Sequence, residues 1–429
     1  MNTKLLATVA AMALLGGVAT HAPAAAETIK VMTFAGIVDY QKEGWNRILD
    51  EFAKANPDID VEVVAVPYAE IVNQSTVQIL GGNAPDVIHG VMSWIPQWNA
   101  LQGGGLADLS QYIDAETIEG FPEVQRTAAT YDDKLLGLVW LPGPIMMYVN
   151  RNLWNEAGVD PDSWSGDWND FAEVLKKICA LPDRNGGKTY GIGLRSSRTA
   201  NSGQWMVPVI YGFGGDIVDA DGKIDLTNQG VIDAYQFYQD MVASGCSPEG
   251  ATHNDTRNLF SQGNVGVIFE GPWGRGFINS LSGDKLKVAA DGDVWVYPMP
   301  TMPDGTVRQM ANDNVLVLTE ASQAKEAAAK FIDFVLTNEP TVAYYAETSD
   351  QVVTGYSPIL ENSPVFRDDP MVQVFVEWMP VSNSVPLKHP KWDAIADLIA
   401  VNMQKVIQGA DPATELARAQ REAERLLRR

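Results

Sequence analysis

The chain opens with an apolar, uncharged run over residues 5–19, preceded by Lys4 and followed by Ala24, Ala25 and Ala26 just before Glu27. A positive start, a short apolar stretch and a small-residue exit predict a cleaved secretory signal peptide over residues 1–26, too short for a membrane anchor. The pattern then changes period. Residues 28–34 read as a strand. Residues 40–56 place Trp45, Ile48, Leu49 and Phe52 on one helical face, and Asn56-Pro57 ends that helix. Residues 60–66 alternate as a second strand and residues 70–80 are helical. Gly81-Gly82-Asn83 make a turn before a third strand at 86–90. This β-α-β-α-β order is the rhythm of an α/β fold with a parallel sheet covered by helices.

The middle of the chain repeats that rhythm less regularly. Residues 135–140 and 145–150 are strand-like, and Pro142, Gly143 and Pro144 break the longest later apolar stretch. Helices are expected at 170–179, 205–211 and 231–244, with strands at 190–194 and 266–269. Gly212, Gly214 and Gly215 close the helix that begins at Trp205. A strand at 314–318 and a helix at 323–337 follow, and the chain reads as helix from Pro386 onward. Asp411 is suited to cap a last helix that starts at Pro412, with Leu416, Ala419, Ala423 and Leu426 on its apolar face. No low-complexity linker separates the parts, so lobes joined by several short crossings are expected.

A mature chain of residues 27–429 is long for one domain, and two are expected. The net charge of -23 becomes -24 when Lys4 is removed with the signal, which speaks against nucleic acid or anionic lipid as a partner. No cysteine stands near the cleavage site to carry a lipid, so a soluble periplasmic protein is expected. That compartment permits a disulfide between Cys179 and Cys246, the alternative being two buried thiols. His89, His253 and His389 lie far apart in sequence, and with two thiols they suggest no metal site. Nothing in the sequence calls for a cofactor.

Motifs for catalysis fail on inspection. Gly187-Lys188-Thr189 ends like a phosphate-binding loop, but Pro182 stands where its first glycine belongs. Gly355-Tyr356-Ser357 begins like a nucleophile elbow and lacks the closing glycine. Asp219-Ala220-Asp221-Gly222 is read as a β-turn rather than a calcium loop, because Ile217 takes the first ligand position. With 54 acidic residues, some carboxylate pair is unavoidable and carries no weight, so no catalytic residue is assigned. The aromatic pattern says more. Trp94, Trp205, Trp273 and Trp392 fall at strand ends or beside glycine and proline. Ligands of open α/β sheets sit at such places, and flat rings there suit the C–H faces of sugars. Trp45, Trp168 and Trp378 read as core.

Several segments, in order, resemble the extracellular solute-binding proteins of family 1, the maltodextrin-binding type. They are Phe52-Ala-Lys-Ala-Asn-Pro-Asp-Ile-Asp-Val61, Gly81-Gly-Asn-Ala-Pro-Asp-Val87, Gly105-Leu-Ala-Asp-Leu109 and Tyr148-Val-Asn-Arg-Asn-Leu-Trp154. Ala157-Gly-Val-Asp-Pro161, Trp168-Asn-Asp-Phe171 and Phe260-Ser-Gln-Gly-Asn-Val-Gly-Val-Ile-Phe-Glu-Gly-Pro-Trp273 follow. The resemblance implies a type II periplasmic-binding-protein fold, with two α/β lobes hinged by three crossings around a central ligand cleft. It places residues 27–139 and 314–366 in an N-terminal lobe and residues 140–313 and 367–429 in a C-terminal lobe. It implies a monomer that closes on a carbohydrate and delivers it to the membrane permease of an ABC importer.

Carried over by motif, the ligand-facing residues would be Gly36 and Asp39 on the first loop, beside Ala35, together with Trp94 and Trp140. Gln204, Trp205 and Trp273 would join them, with Asn312 and Asp313 at the second crossing and Trp392 after the third. Two departures argue against maltodextrin itself. Trp140-Leu-Pro-Gly-Pro144 replaces polar residues at the first crossing, and Ser93-Trp94 replaces an Asp-Arg pair. Arg195, Arg198, Arg275 and Arg308 leave room for an acidic sugar, although each also reads as a surface arginine. A polyol or glycerol phosphodiester ligand, a carbohydrate-active enzyme and a sensory presenter of ligand are the rival readings.

Overall fold

Two separate sheets organise the chain in the computed structural model, which describes residues 26–102, 104–164, 166–349 and 353–428. The expected signal segment up to Ala25 lies outside the described residues. The first sheet has five strands, ordered Ile59–Ala65, Glu27–Thr33, Val87–Val91, Asn314–Leu318 and Leu138–Leu141. The first three run parallel, as the β-α-β-α-β pattern requires, and the last two pair antiparallel. Val87–Val91 and Asn314–Leu318 are buried along their whole length, so their apolar runs do not alternate. The Asp39–Ala55 helix turns Trp45, Ile48 and Phe52 inward, and the Glu339–Ser349 helix packs along it.

The second sheet is ordered Val294–Tyr297, Met146–Asn150, Val265–Glu270 and Tyr190–Ile192. The Trp168–Cys179, Gln229–Ala243, Trp392–Ile407 and Pro412–Leu427 helices supply much of its core. Cys179 and Cys246 form a disulfide with Cα atoms 5.2 Å apart, joining the end of one helix to the segment after another.

The chain passes between the two sheets at 142–145 and at 311–313. A third passage lies near Tyr356, whose ring packs against both cores. Trp140 and Leu141 complete the first sheet, so that sheet continues past the expected switch at 139.

Two expected helices are shorter than their apolar patterns. The run from Trp205 splits into Ala200–Gln204 and Val207–Gly212, with Trp205 capping the first. Pro208, which has no N–H to donate, opens the second. From Pro386 the chain stays irregular until Trp392, because Pro386 and Pro390 interrupt any earlier ladder. The segment at 217–224 is the expected turn, with Val218 bridged to Ile224 and Gly222 at φ +74°.

Candidate functional site

A cavity of about 250 Å³ lies between the lobes. Phe34, Val38, Tyr40, Gln41, Tyr68 and Leu141 line it from the first lobe, and Arg195, Asn201, Trp205, His253, Arg257 and Trp273 from the second. Asn312 and Asn314 close it at the second crossing. Tyr40 also packs against the second core, so the lobes meet over the cavity.

The second-lobe wall is built at a strand end. Glu270 is the last residue of Val265–Glu270 and is 1% exposed. Its Oε1 accepts from Arg195 Nη2 at 2.6 Å and from Arg257 Nε at 2.8 Å. Its Oε2 accepts from Arg257 Nη2 at 2.9 Å and from Trp273 Nε1 at 2.7 Å. Burial raises the Glu270 carboxyl, but the two guanidiniums and the indole N–H outweigh it and hold the pKa at about 2. Burial lowers the Arg195 guanidinium to about 10, still charged at neutral pH.

Each arginine is also held on its flat side. Arg195 lies over the Trp205 ring at 3.7 Å and Arg257 over Phe277 at 4.6 Å. Arg257 and His253 are four residues apart on the His253–Ser261 helix and so share a face. A capping box of Thr252 and Asp255 fixes the start of that helix. Burial and the two arginines keep His253 neutral, with its pKa lowered to about 4.

Trp273 follows Glu270 through Gly271-Pro272 in a turn that admits little bulk. A Cβ on Gly274 would stand 2.2 Å from Tyr148 Cζ. Tyr148 Oη in turn donates to Gly271 O at 2.9 Å. The indole N–H of Trp273 is engaged by Glu270, which sets the ring's orientation toward the cavity.

The first-lobe wall is neutral. Phe34 stacks on His89 at 4.0 Å. His89 is fully buried, with Nδ1 2.9 Å from Thr33 Oγ1 and Nε2 3.1 Å from Asn314 Oδ1. Burial lowers its pKa to about 3, so a neutral imidazole props both Phe34 and Asn314. Burial pushes the Tyr68 phenol up to about 12, and Asn312 Nδ2 donates to its oxygen at 3.5 Å. Gln41 Oε1 is buried and has no hydrogen-bond partner among the described residues.

The expected site residues divide. Trp205, Trp273 and Asn312 line the cavity. Gln204 does not line it and instead donates to Asn312 Oδ1 at 3.1 Å. Gly36 and Asp39 lie on the right loop but off the wall, which Phe34, Val38, Tyr40 and Gln41 form instead. Gly36 faces the Trp45 ring and Asp39 is exposed. Trp94 stands beside Tyr68, with ring centroids 5.1 Å apart, and its indole N–H opposes the burial that raises Asp393.

Three residues lie off the cavity wall. Trp140 is a core residue, 1% exposed among Trp45, His89 and Tyr345. Trp392 is 2% exposed within the second core. Asp313 faces away from the cavity. Its carboxylate accepts from Gly143 N at 2.8 Å and from Ser384 Oγ, tying the first two crossings to the 382–384 segment. In an extended segment neighbouring side chains point to opposite sides, so Asn312 and Asp313 cannot both face ligand. Asp313 lines a second hollow, of about 500 Å³, that has no aromatic ring in its wall.

Among the arginines, Arg195 is 4% exposed rather than on the surface, while Arg198 is exposed. Arg308 pairs with Asp216 at 2.5 Å and Arg275 with Asp369 at 2.7 Å. The sequence reading passed over Arg257, although the His253/Arg257 spacing held the signal.

Comparison with known proteins agrees with this architecture. The Thermotoga lettingae ABC transporter solute-binding protein bound with α-D-tagatose superposes with a TM-score of 0.82 at 20% identity, covering 94% of this chain and 100% of that one. Maltose-bound MalE3 of T. maritima gives a TM-score of 0.80 at 20% identity, covering 94% of this chain and all of the other, 100%. In sequence, the maltotriose-binding protein of Pyrococcus abyssi is 22% identical over 374 residues, 85% of this chain and 75% of its own length. The arabinooligosaccharide-binding protein of Bacillus subtilis is 24% identical over 318 residues, 72% of this chain and 68% of its own. The fold is that of the type II periplasmic binding proteins. The bacterial extracellular solute-binding protein profile matches residues 39–342, and the chain belongs to that family.

Proposed function

We propose that this protein captures a small carbohydrate between its lobes and presents it, as a secreted monomer, to the permease of an ABC importer. The observation that carries the reading is the unmet hydrogen-bonding capacity of the cavity. Gln41 Oε1 is buried without a partner among the described residues and lines the same cavity as Trp273, whose N–H is already satisfied. A sugar hydroxyl would complete the amide while its C–H face lay on the ring. The maltotriose-, arabinooligosaccharide- and tagatose-binding relatives support the same class of ligand. A volume of about 250 Å³ lies at the small end of ligand sites and favours a small sugar over a long oligosaccharide.

The mechanism is a shift of population and needs no covalent step. Contacts to Gln41 and Tyr68 on one lobe and to Trp273 and Arg257 on the other exist together only when the cleft is shut. Ligand therefore favours closure by its differential affinity for the closed state. Moving the equilibrium from 1:99 to 99:1 takes roughly 5.5 kcal/mol. Residues 1–26 serve as the export signal, and the closed lobes together form the surface read by the permease.

A thermal-shift screen against sugars, polyols and sugar acids tests the reading. A ligand at 100 times its Kd adds about 2.7 kcal/mol of stability. A clear upward shift with a carbohydrate is expected, and no shift across a broad panel would sink the reading.

A further inference from the structure

The ion network beside the cavity does not sum to zero. Two guanidiniums, Arg195 and Arg257, share the single carboxylate of Glu270. All four hydrogen bonds that Glu270 accepts come from these two arginines and Trp273, so it is fully occupied. Arg195 Nε and Arg257 Nη1 find no acceptor among the described residues, while both side chains line the cavity. The other acids nearby are engaged elsewhere. Asp255 caps its helix at the surface, and Asp393 faces the Trp94 indole, helps raise the Tyr68 phenol on the opposite wall, and makes no ion pair with either arginine. The remaining cavity-lining side chains are neutral, His253 included. The Arg195–Arg257–Glu270 cluster thus carries one net positive charge at the cavity wall, inside a chain whose overall charge is -23. An unpaired buried charge is costly, and a ligand of opposite sign removes that cost.

We infer that the ligand is a singly charged sugar acid of one ring, its carboxylate received by Arg195 and Arg257 and its hydroxyls by Gln41, Asn201 and Asn312. This rests on reading the cleft as a carbohydrate site and narrows the ligand within that class. One negative charge balances the network, whereas a phosphate monoester, carrying nearly two, would overshoot it. Guanidinium is also the side-chain group best matched to a carboxylate, through paired N–H donors. The acidic surface gives no long-range steering of such an anion, so the preference must arise within the cavity.

Calorimetric titration of the full protein, stripped of co-purified ligand by unfolding and refolding, tests the inference. The probes are D-galacturonate and D-glucuronate, each set against D-galactose, D-glucose and the corresponding sugar 6-phosphates. At least one acid is expected to bind ten-fold or more tightly than its neutral parent, with an affinity that falls as salt is raised. In Arg257→Gln the ratio of acid to neutral affinity should collapse toward one, and Arg257→Lys should restore part of it. Circular dichroism and the melting temperature establish that each variant is folded. If neither variant folds, the wild-type acid-to-neutral ratio and its salt dependence decide alone. A neutral sugar binding as tightly as its acid overturns the charge assignment and leaves the carbohydrate reading standing. A 6-phosphate binding more tightly than the acid overturns the single charge. Failure of every probe overturns both readings.

Discussion

On the second-lobe wall of the cleft, Arg195, Arg257, Glu270 and Trp273 hold one another by hydrogen bonds of 2.6 to 2.9 Å, all made within one lobe. The first-lobe wall presents Phe34, Gln41 and Tyr68, and its polar ends are incomplete. Gln41 Oε1 has no partner among the described residues, and Tyr68 reaches only Asn312, at 3.5 Å. One wall is therefore organised before ligand arrives, and the other is completed by ligand and closure. Preorganised groups bind without an ordering cost, which implies that ligand docks on the second lobe and the first lobe closes over it.

Removing Glu270 should break that comparison most severely. Glu270→Ala leaves two buried guanidiniums without their shared carboxylate, a loss of about 3–5 kcal/mol of stability, read as a lower urea midpoint together with abolished binding. The same group sets a pH limit. Its folded pKa, about 2, lies below its ordinary 4.5. Its contribution is therefore fully present above about 4.5 and fades as pH falls from there through about 2. Wild type should lose urea stability between pH 5 and pH 3 more steeply than Glu270→Ala, and parallel curves would contradict the assignment.

The disulfide sharpens the contrast between lobes, since Cys179–Cys246 closes a loop of 67 residues in the second lobe. Replacing both cysteines by serine should cost about 4 kcal/mol on the chain-entropy estimate. Calorimetry should then show the second lobe melting at lower temperature while the first is unmoved. A uniform shift of one transition would mean that the lobes unfold as a unit. Trp273→Ala acts on binding instead. It removes the platform from the organised wall and should weaken sugar binding more than ten-fold, or about 1.4 kcal/mol, with the fold intact by circular dichroism. Unchanged affinity would take Trp273 out of the site.

Much of the scaffold was legible because burial imposes period. Val87–Val91 and Val265–Glu270 are buried along their whole length and read as mostly apolar runs, and Trp45, Ile48 and Phe52 recur at helical spacing. The cleft was legible only in part. Trp273 stands just past a strand end and Trp205 at the end of a short helix, both on the cavity, but Trp140 and Trp392 satisfy the same local criteria and are core. A tryptophan beside a proline carries no mark of which way its ring turns. Tyr68, Gln41 and Arg257 escaped because a cleft between lobes gathers side chains from distant segments, each on an otherwise ordinary helix or turn. Asn312 and Asp313 show the limit at one residue's resolution. Both lie on the crossing, and the alternation of an extended segment sends one to ligand and the other to the hinge.

The smallest effect tests the incomplete wall directly. Tyr68 Oη is buried and neutral, and among the described residues it is engaged at the crossing alone, through Asn312. Tyr68→Phe removes one hydroxyl and keeps the ring that packs on Phe34 and Trp94. Stability should hardly change, while affinity should fall by about 0.5–1.5 kcal/mol, the net worth of one hydrogen bond. Because closure follows docking, the loss should appear in the dissociation rate and leave the association rate near wild type. Stopped-flow fluorescence of the cleft tryptophans separates the two rates. A slower association with unchanged dissociation would reverse the order of events and make the first lobe the docking wall.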